Sequence, residues 1–399
     1  MSELGDTKPF ARGAVDLIEE RELVERLAPG RPLRVKFGMD PSSPDLHLGH
    51  AIPLLKLRAL QRCGHQVVLI VGDATAMVGD PSGRNKLRPQ LSRAEVEANL
   101  ETYTAQAGRV LDMERTEVRR NSEWFDAMGF AEVLQLASRM TVARMIERDT
   151  FKKRMRENAP IGIHEFLYPL MQGWDSVQVR ADVELGGTDQ LFNLLVGREL
   201  QRAEGQPGQV CLTLPLINGL DGRKMSKSYG NAIGLTDPAP EMFGKVMSLE
   251  DGVMEGWFTL LTELPEDERR NLLAGHPRAA KARLAEEITT EFHGRAAGAA
   301  AREAFDRQFR DKQRPGDAEI PLVSLGEEWP AAGLPLAVLL RKVGLASSSS
   351  EARRLVEQGG VRMDDEVVRE PMLAVCRPER TLILQVGKRR FARIAPDPV

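Results

Sequence analysis

Cysteine is scarce in this chain. Only Cys63, Cys211 and Cys376 occur among 399 residues, far apart and odd in number. They match neither a disulfide framework nor a zinc-ligand spacing, and they fit a reducing cytoplasm. No run of eighteen apolar residues is present, so no membrane span is expected. Met1 to Phe10 carries Glu3 and Asp6 without an apolar stretch, so no secretory signal is expected either. A strong charge excess is also missing: 55 Lys and Arg face 58 Asp and Glu, for a net charge of −3. A near-neutral average neither suggests nor excludes a nucleic-acid partner, because charge can be local. The glycine-rich Walker loop of P-loop nucleotide sites is absent as well. What is present is ordinary globular material, 42% hydrophobic and 28% charged residues. At roughly 100–200 residues per domain, the length predicts two to four domains.

The first half alternates strand-like and helix-like segments. Leu33 to Phe37 is an extended run ending at Gly38, and Gln66 to Val71 is an apolar, β-branched run before Gly72. Between them, His47 to Arg62 puts Leu48, Ile52, Leu55 and Ala59 on one helical face. Ser92 to Leu111 opens with a capping box of Ser92 and Glu95. Strands at Glu117 to Arg119, Ala181 to Leu185 and Val210 to Leu214 follow, with helices over Ile163 to Val177 and Asp189 to Arg202. This predicts an α/β fold, a doubly wound, mostly parallel Rossmann-like sheet over residues 1–236. Ligands of such sheets bind outside the carboxyl ends of the strands.

Beyond Asp237 the pattern changes. Residues 237–311 are Ala-, Glu- and Arg-rich and predict a helical domain. Residues 312–333 are broken by Pro315, Gly316, Pro321, Gly326, Pro330 and Gly333, and read as a linker. Residues 334–399 predict a small α+β unit. Leu336, Leu339, Leu340 and Val343 share a helical face, and Ser347 to Ser350 caps a second helix. Two hairpin signals follow, at Asp364-Asp365 and Gly387-Lys388. From Ala331 onward there are twelve Lys or Arg against eight Asp or Glu, a net of +4, which leaves −7 for the rest. That asymmetry is the first hint of a polyanionic partner.

Two short strings carry chemistry. Pro41 to His50 lies between the first strand and a helix and contains His47, Leu48, Gly49 and His50. A helix N-terminus offers N–H groups and a partial positive charge to phosphate. Two imidazoles three residues apart can stabilise charge during phosphoryl transfer, and Gly49 leaves room for a ring or ribose. Lys224 to Ser228 follows the turn Gly219 to Arg223, and Lys224 and Lys227 on such a loop can close over departing pyrophosphate. Alone, each string also reads as solvated surface.

Together, and in this order, they resemble the HIGH and KMSKS signatures of class I aminoacyl-tRNA synthetases. Leu48 replaces the usual isoleucine. Three further segments look like the tyrosyl-tRNA synthetases of bacteria. These are Gly79 to Arg84 with Lys86 and Arg88 behind it, the Tyr168/Gln172/Asp175 helix, and Gly186-Gly187-Thr188-Asp189-Gln190. Tyr168, Gln172 and Asp175 sit at i, i+4 and i+7, so one helical face carries all three. The C-terminal unit is similar to S4 RNA-binding domains. One position departs from many members of the family: Lys36 stands where they place a tyrosine near the substrate hydroxyl. In this respect the chain looks like a second bacterial subgroup.

The resemblance implies roles. His47, Gly49 and His50 would bind ATP, with Gly187 and Asp189 at its ribose. Lys224 and Lys227 would stabilise pyrophosphate, helped by Arg84 and Arg88. Asp40, Asp80, Tyr168 and Gln172 would hold the amino end of tyrosine, Asp175 would accept the phenol proton, and Lys36 and Gln190 would belong to the same pocket. Arg341, Lys342, Arg353, Arg354, Arg362 and Lys388 would meet tRNA. The implied substrates are L-tyrosine, ATP with Mg2+, and tRNA(Tyr), used by a cytoplasmic homodimer. Apolar stripes over Phe130 to Met145 suit either an interface or a core. Three rivals remain at this stage: a tryptophanyl enzyme, an adenylyltransferase for a small metabolite, and an S4 RNA-binding regulator with a degenerate catalytic domain.

Overall fold

The near-continuous apolar runs become inner strands, as expected where helices cover both faces of a sheet. The computed structural model describes residues 3–41, 45–82, 91–226, 229–309, 320–325, 329–330, 333–387 and 390–395. Its main sheet contains β1 (Asp16–Ile18), β2 (Arg34–Met39), β3 (Gln66–Val71), β4 (Thr116–Arg120), β5 (Val183–Gly187) and β6 (Val210–Leu214). Their spatial order is β1-β6-β5-β2-β3-β4. Five strands are parallel, and β1 alone runs antiparallel, against β6. The chain winds outward from β2 through β3 to β4, then returns to lay β5 on the other side of β2. The strand order therefore reverses between β2 and β5, and a crevice opens beyond their carboxyl ends. Gly38 to Asp40 leaves one side of that crevice and Gly186 to Asp189 the other.

The helices begin where their caps predict. Ser92 accepts from Glu95 N–H and Glu95 reaches back, so the capping box forms at Arg93–Ala107. The helix expected from Asp189 starts at Leu191, after a 3-10 turn over Thr188–Gln190. The strand β1 has no counterpart in the sequence pattern, since Asp16-Leu17-Ile18 is too short to show a period. Residues 237–302 fold as helices in the same compact unit as the sheet. Glu263 and Glu291 from this region both pair with Arg58 on the helix Leu48–Arg62. No helix is long and apolar enough to cross a membrane among the described residues.

The second compact unit runs from Glu303. Its helices Leu336–Lys342 and Ser349–Glu357 pack together, and Ser348 caps the second through Glu351 N–H. Asp364 and Asp365 both have positive φ, 47° and 71°, as the tight turn between Val361–Met363 and Glu366–Val368 requires. Part of the stretch read as a linker is built into this unit. Leu322–Val323 pairs parallel with Arg390–Ile394, and buried Trp329 donates its indole N–H to Val375 O at 3.2 Å.

Candidate active site

The crevice beyond β2 and β5 is a cavity of about 1190 Å³. Asp40, His47, Gly49, His50, Asp80, Tyr168, Gln172, Asp175, Gly187, Asp189, Gln190 and Lys224 all line it. Residues from widely separated parts of the sequence thus meet around one space.

One end is built on the N-terminus of the helix Leu48–Arg62. His47 is its N-cap, and His47 Nδ1 accepts from Gly49 N–H at 3.1 Å. His50 Nδ1 accepts from His47 N–H at 3.2 Å, and the two rings lie 3.9 Å apart. Both Nδ1 atoms act as acceptors, so each neutral ring carries its proton on Nε2. Gly49 also serves the cap itself. A Cβ there would come within 2.9 Å of the His47 ring. The glycine is what lets His47 fold back as the cap.

The loop facing this end ties to itself. Asn231 Oδ1 accepts from Ser226 N–H at 2.8 Å, and Asn231 Nδ2 donates to Asp221 at 2.6 Å and to Lys224 O at 3.2 Å. Bonds from Asn231 and Arg223 hold the Asp221 carboxyl down at about 2. Met225 is buried, while Lys224 stands exposed and reaches Asp189 across 3.0 Å.

The other end is a closed polar network. Tyr168 donates its hydroxyl to Asp40 Oδ2 at 2.7 Å, and Thr75 donates to Asp40 Oδ1 at 2.8 Å. Gly72 is obligatory here, because a Cβ would stand 2.1 Å from Asp40 Oδ1. Gln190 donates to Asp80 Oδ2 at 2.9 Å, and Asn193 bridges Gln190 and Gln172 at 2.9 and 2.8 Å. Arg148 donates to Ser82 and lies 3.4 Å from Asp80. Deepest of all is Asp175, 3% exposed, which accepts from Trp124 Nε1 at 3.0 Å and Asn121 Nδ2 at 3.4 Å. Burial pushes its carboxyl up to about 7, against the pull of Lys36 and the two donors. A buried carboxylate with two fixed donors on its outer side suits one more donor from a ligand.

The cavity therefore pairs an anion-binding helix end with a deep, hydrogen-bonding pocket, as a small acid to be activated with a nucleotide would need. The comparisons agree. The family model "tRNA synthetases class I (W and Y)" matches residues 28–310, and that of the S4 domain matches residues 334–377. A tyrosine–tRNA ligase of Thermotoga maritima is 51% identical over 395 residues, covering 97% of this chain and 96% of that one. A tyrosine–tRNA ligase of Oleidesulfovibrio alaskensis is 49% identical over 394 residues, covering 97% and 98%. The chain belongs to the bacterial-type tyrosyl-tRNA synthetases of class I, with a C-terminal S4 domain. Solved structures show the same fold at lower identity. A C-terminally truncated mitochondrial tyrosyl-tRNA synthetase of Aspergillus nidulans superposes with a TM-score of 0.65 at 24% identity, over 77% of this chain and 94% of that one. The tyrosyl-tRNA synthetase of Archaeoglobus fulgidus, complexed with L-tyrosine, gives 0.60 at 22%, over 75% and 98%.

Within that family's pattern, one expected pocket residue is elsewhere. Lys36 does not line the cavity. Its side chain is fully buried under the helix Ile163–Gln178 and bonded to Glu184. It sits mid-strand on a covered face, whereas the cavity opens at the strand ends. Arg84, Arg88, Lys227 and Lys388 lie outside the described residues. Arg341, Lys342, Arg353, Arg354 and Arg362 are all exposed in the second unit, the first four on its two packed helices. Sequence reasoning missed Thr75, Asn121, Trp124, Arg148, Glu184 and Asn193. Only Asn193 carried a signal, three residues after Gln190 and therefore on the same helical side.

Proposed function

We infer that this protein is a tyrosine–tRNA ligase. The observation that carries the reading is Asp175, a buried carboxylate at the closed end of a cavity whose other end is a helix N-terminus with two histidines. On this reading the phenol hydroxyl donates to Asp175, while Asp40 and Asp80 face the amino group beside Tyr168 and Gln172. The tyrosine carboxylate attacks the α-phosphorus of ATP, and the bond to the β-phosphate oxygen breaks as pyrophosphate leaves. His47 and His50 donate Nε2–H to the phosphates at the helix N-terminus, and Lys224, with Lys227, takes up the charge on pyrophosphate. The terminal ribose hydroxyl of tRNA then attacks the tyrosyl carbonyl, and AMP leaves. Positioning and charge stabilisation suffice for both steps, without a covalent enzyme intermediate.

Several finer points belong to the same proposal. Among the described residues no group of three His, Cys, Asp or Glu side chains could cage a metal ion. We assign Mg2+ to the ATP phosphates as their companion, which is its usual mode. The exposed arginines of the S4 unit are assigned to tRNA phosphate. We also propose a homodimer. The helices Phe130–Ala137, Val142–Ile146 and Ile163–Gln178 share one core cluster. Each also leaves apolar side chains in solvent, with Phe130 78%, Leu134 55%, Val142 63% and Ile163 83% exposed. A second copy of the chain is the partner assigned to them, and sedimentation of Phe130→Asp against the parent tests it. We assign the protein to the cytoplasm because tRNA charging serves translation there.

Pyrophosphate exchange run with each amino acid, followed by aminoacylation of tRNA(Tyr), tests the central reading. Exchange should depend on tyrosine. Exchange driven by tryptophan, or by no amino acid, would overturn it.

A further inference from the structure

Lys36 and Glu184 are both fully buried and are direct cross-strand neighbours, paired in register on β2 and β5. Lys36 Nζ has three protons to donate and three acceptors at 2.8 Å each: Glu184 Oε1, Ser176 Oγ and Gln172 O. Glu184 is equally complete. Its Oε1 also accepts from Gln172 Nε2 at 3.1 Å, and its Oε2 accepts from Ser176 Oγ at 2.9 Å and from Gln209. A pair this deep gains little stability over apolar side chains of the same volume, because desolvation offsets most of the attraction. Its partners say more about its use. Gln172 and Ser176 stand three residues before and one residue after Asp175, on the same helix.

We propose that Lys36 and Glu184 form a positioning pair for substrate selection, tethering the helix from beneath so that Gln172 and Asp175 meet tyrosine, and favouring its phenol over the bare ring of phenylalanine. The proposal rests on Asp175 as the group that reads the phenol. The tether fixes where Asp175 points. The charge fixes how Asp175 binds, since an ionised carboxylate makes the stronger, charge-assisted bond to a phenol. The charged groups acting on Asp175 are Lys36 on β2, which favours its ionised form, and Glu184 on β5, which opposes it more weakly. Asn121 and Trp124, from the turn after β4, are its neutral donors. Neither Lys36 nor Glu184 touches the cavity, so this is selection exerted through another residue.

The test is the full-length Lys36→Met/Glu184→Gln variant, which removes both charges at nearly constant volume. Pyrophosphate exchange is measured with tyrosine and with phenylalanine between pH 6 and 9, alongside KM for ATP. Removing the pair leaves Asp175 without its cation, so its proton is lost at higher pH. Near pH 7, kcat/KM for tyrosine should fall about fivefold, as the ionised fraction does when a group at about 7 rises by one pH unit. The loss should shrink by pH 9, and KM for ATP should stay within about twofold of the parent. An unchanged tyrosine-to-phenylalanine ratio and pH profile in the folded variant overturns the proposal. If the double variant does not fold, Ser176→Ala decides: it keeps both charges, removes one tether, and must still lower the ratio. Asp175→Asn, measured in parallel, separates the two readings. Should it keep the parent's preference for tyrosine, the reading of Asp175 fails. Should it lose that preference while the pair variants keep it, only the present proposal fails.

Discussion

The two ends of the cavity are built in opposite ways. At the closed end, polar groups come from strands and packed helices and are bonded to one another before any ligand arrives. Asp175 is 3% exposed, and the Lys36–Glu184 pair beneath it has no exposed surface. At the open end, charge is carried by a helix N-terminus and by a loop, with the Lys224 side chain half in solvent and held by a surface ion pair. On the proposed roles, the contrast follows from what each end would do. Telling one ring from another requires groups already in place, since mobile donors would adjust to the wrong ring. Stabilising a leaving group requires charge that engages more strongly in the transition state than before it. A lysine on a loop can move; an aspartate on the buried face of a packed helix cannot.

The sharpest test of this division is His50→Ala. Losing one donor to developing phosphate charge costs on the order of 2–4 kcal/mol of barrier, or roughly 30- to 1000-fold in rate. Single-turnover adenylate formation should slow by that factor while tyrosine binding stays near the parent's value. A matching loss of tyrosine affinity would mean that the two ends are not separable. Asp175→Ala is the converse. A buried charged group left without its partner costs roughly 3 kcal/mol, so the preference for tyrosine over phenylalanine should drop by about 100-fold. KM for ATP should not move. If the preference survives, another group selects the phenol.

A third variant should touch neither end. Cutting the chain after Phe309 removes nearly all of the second unit and keeps the helix Arg295–Phe309 whole. A cut near Pro330, which the prolines and glycines alone suggest, would leave Leu322–Val323 and Trp329 without their sheet and core. Pyrophosphate exchange should be retained by the shorter chain. Binding of tRNA should weaken by about tenfold or more at moderate salt. Its log–log salt slope should flatten by about one for each phosphate that is no longer neutralised. Equal loss of exchange and charging would make the unit structural.

These expectations draw on parts of the molecule that are readable in different degrees. Apolar, β-branched runs reveal β3 and β6, because length and composition are local properties; the switch between β2 and β5 depends on strand order, which no local pattern carries. The three-residue β1 carries too little of either. That Tyr168, Gln172 and Asp175 share one helical face is legible from their spacing, while their place at the tyrosine end comes from the family resemblance. Their supporters are not legible. Asn121 and Trp124 follow β4, Arg148 precedes the helix Asp149–Arg156 and Glu184 lies on β5, and no local pattern announces what each will face. Lys36 shows the same limit. Strand alternation tells which residues share a face, but a doubly wound sheet buries both faces and opens its cavity at the strand ends.

The smallest expected effect is on stability, and it tests whether the closed end is held in place at a cost. Burial keeps the Asp175 carboxyl at about 7, against 3.8 for an ordinary aspartate. The folded protein therefore retains a proton that the unfolded chain loses over that window. Stability contributed by this group is full below about pH 4 and is lost as pH rises through 7. The gross loss for a shift of this size is on the order of 4 kcal/mol at alkaline pH. Asp175→Asn has no proton to lose, so it escapes the penalty. Its amide oxygen accepts only neutral bonds from Trp124 and Asn121, each weaker than a charge-assisted one by on the order of 1 kcal/mol, which leaves a net gain of roughly 1–2 kcal/mol. The unfolding midpoint of the full-length variant should lie a few degrees above the parent's at pH 8. The difference should vanish or reverse near pH 4, where the parent's aspartate is largely protonated in the folded state and the penalty is gone. A variant less stable than the parent at pH 8 would mean that the fold already compensates the buried charge fully. The closed end would then store no strain for tyrosine to relieve.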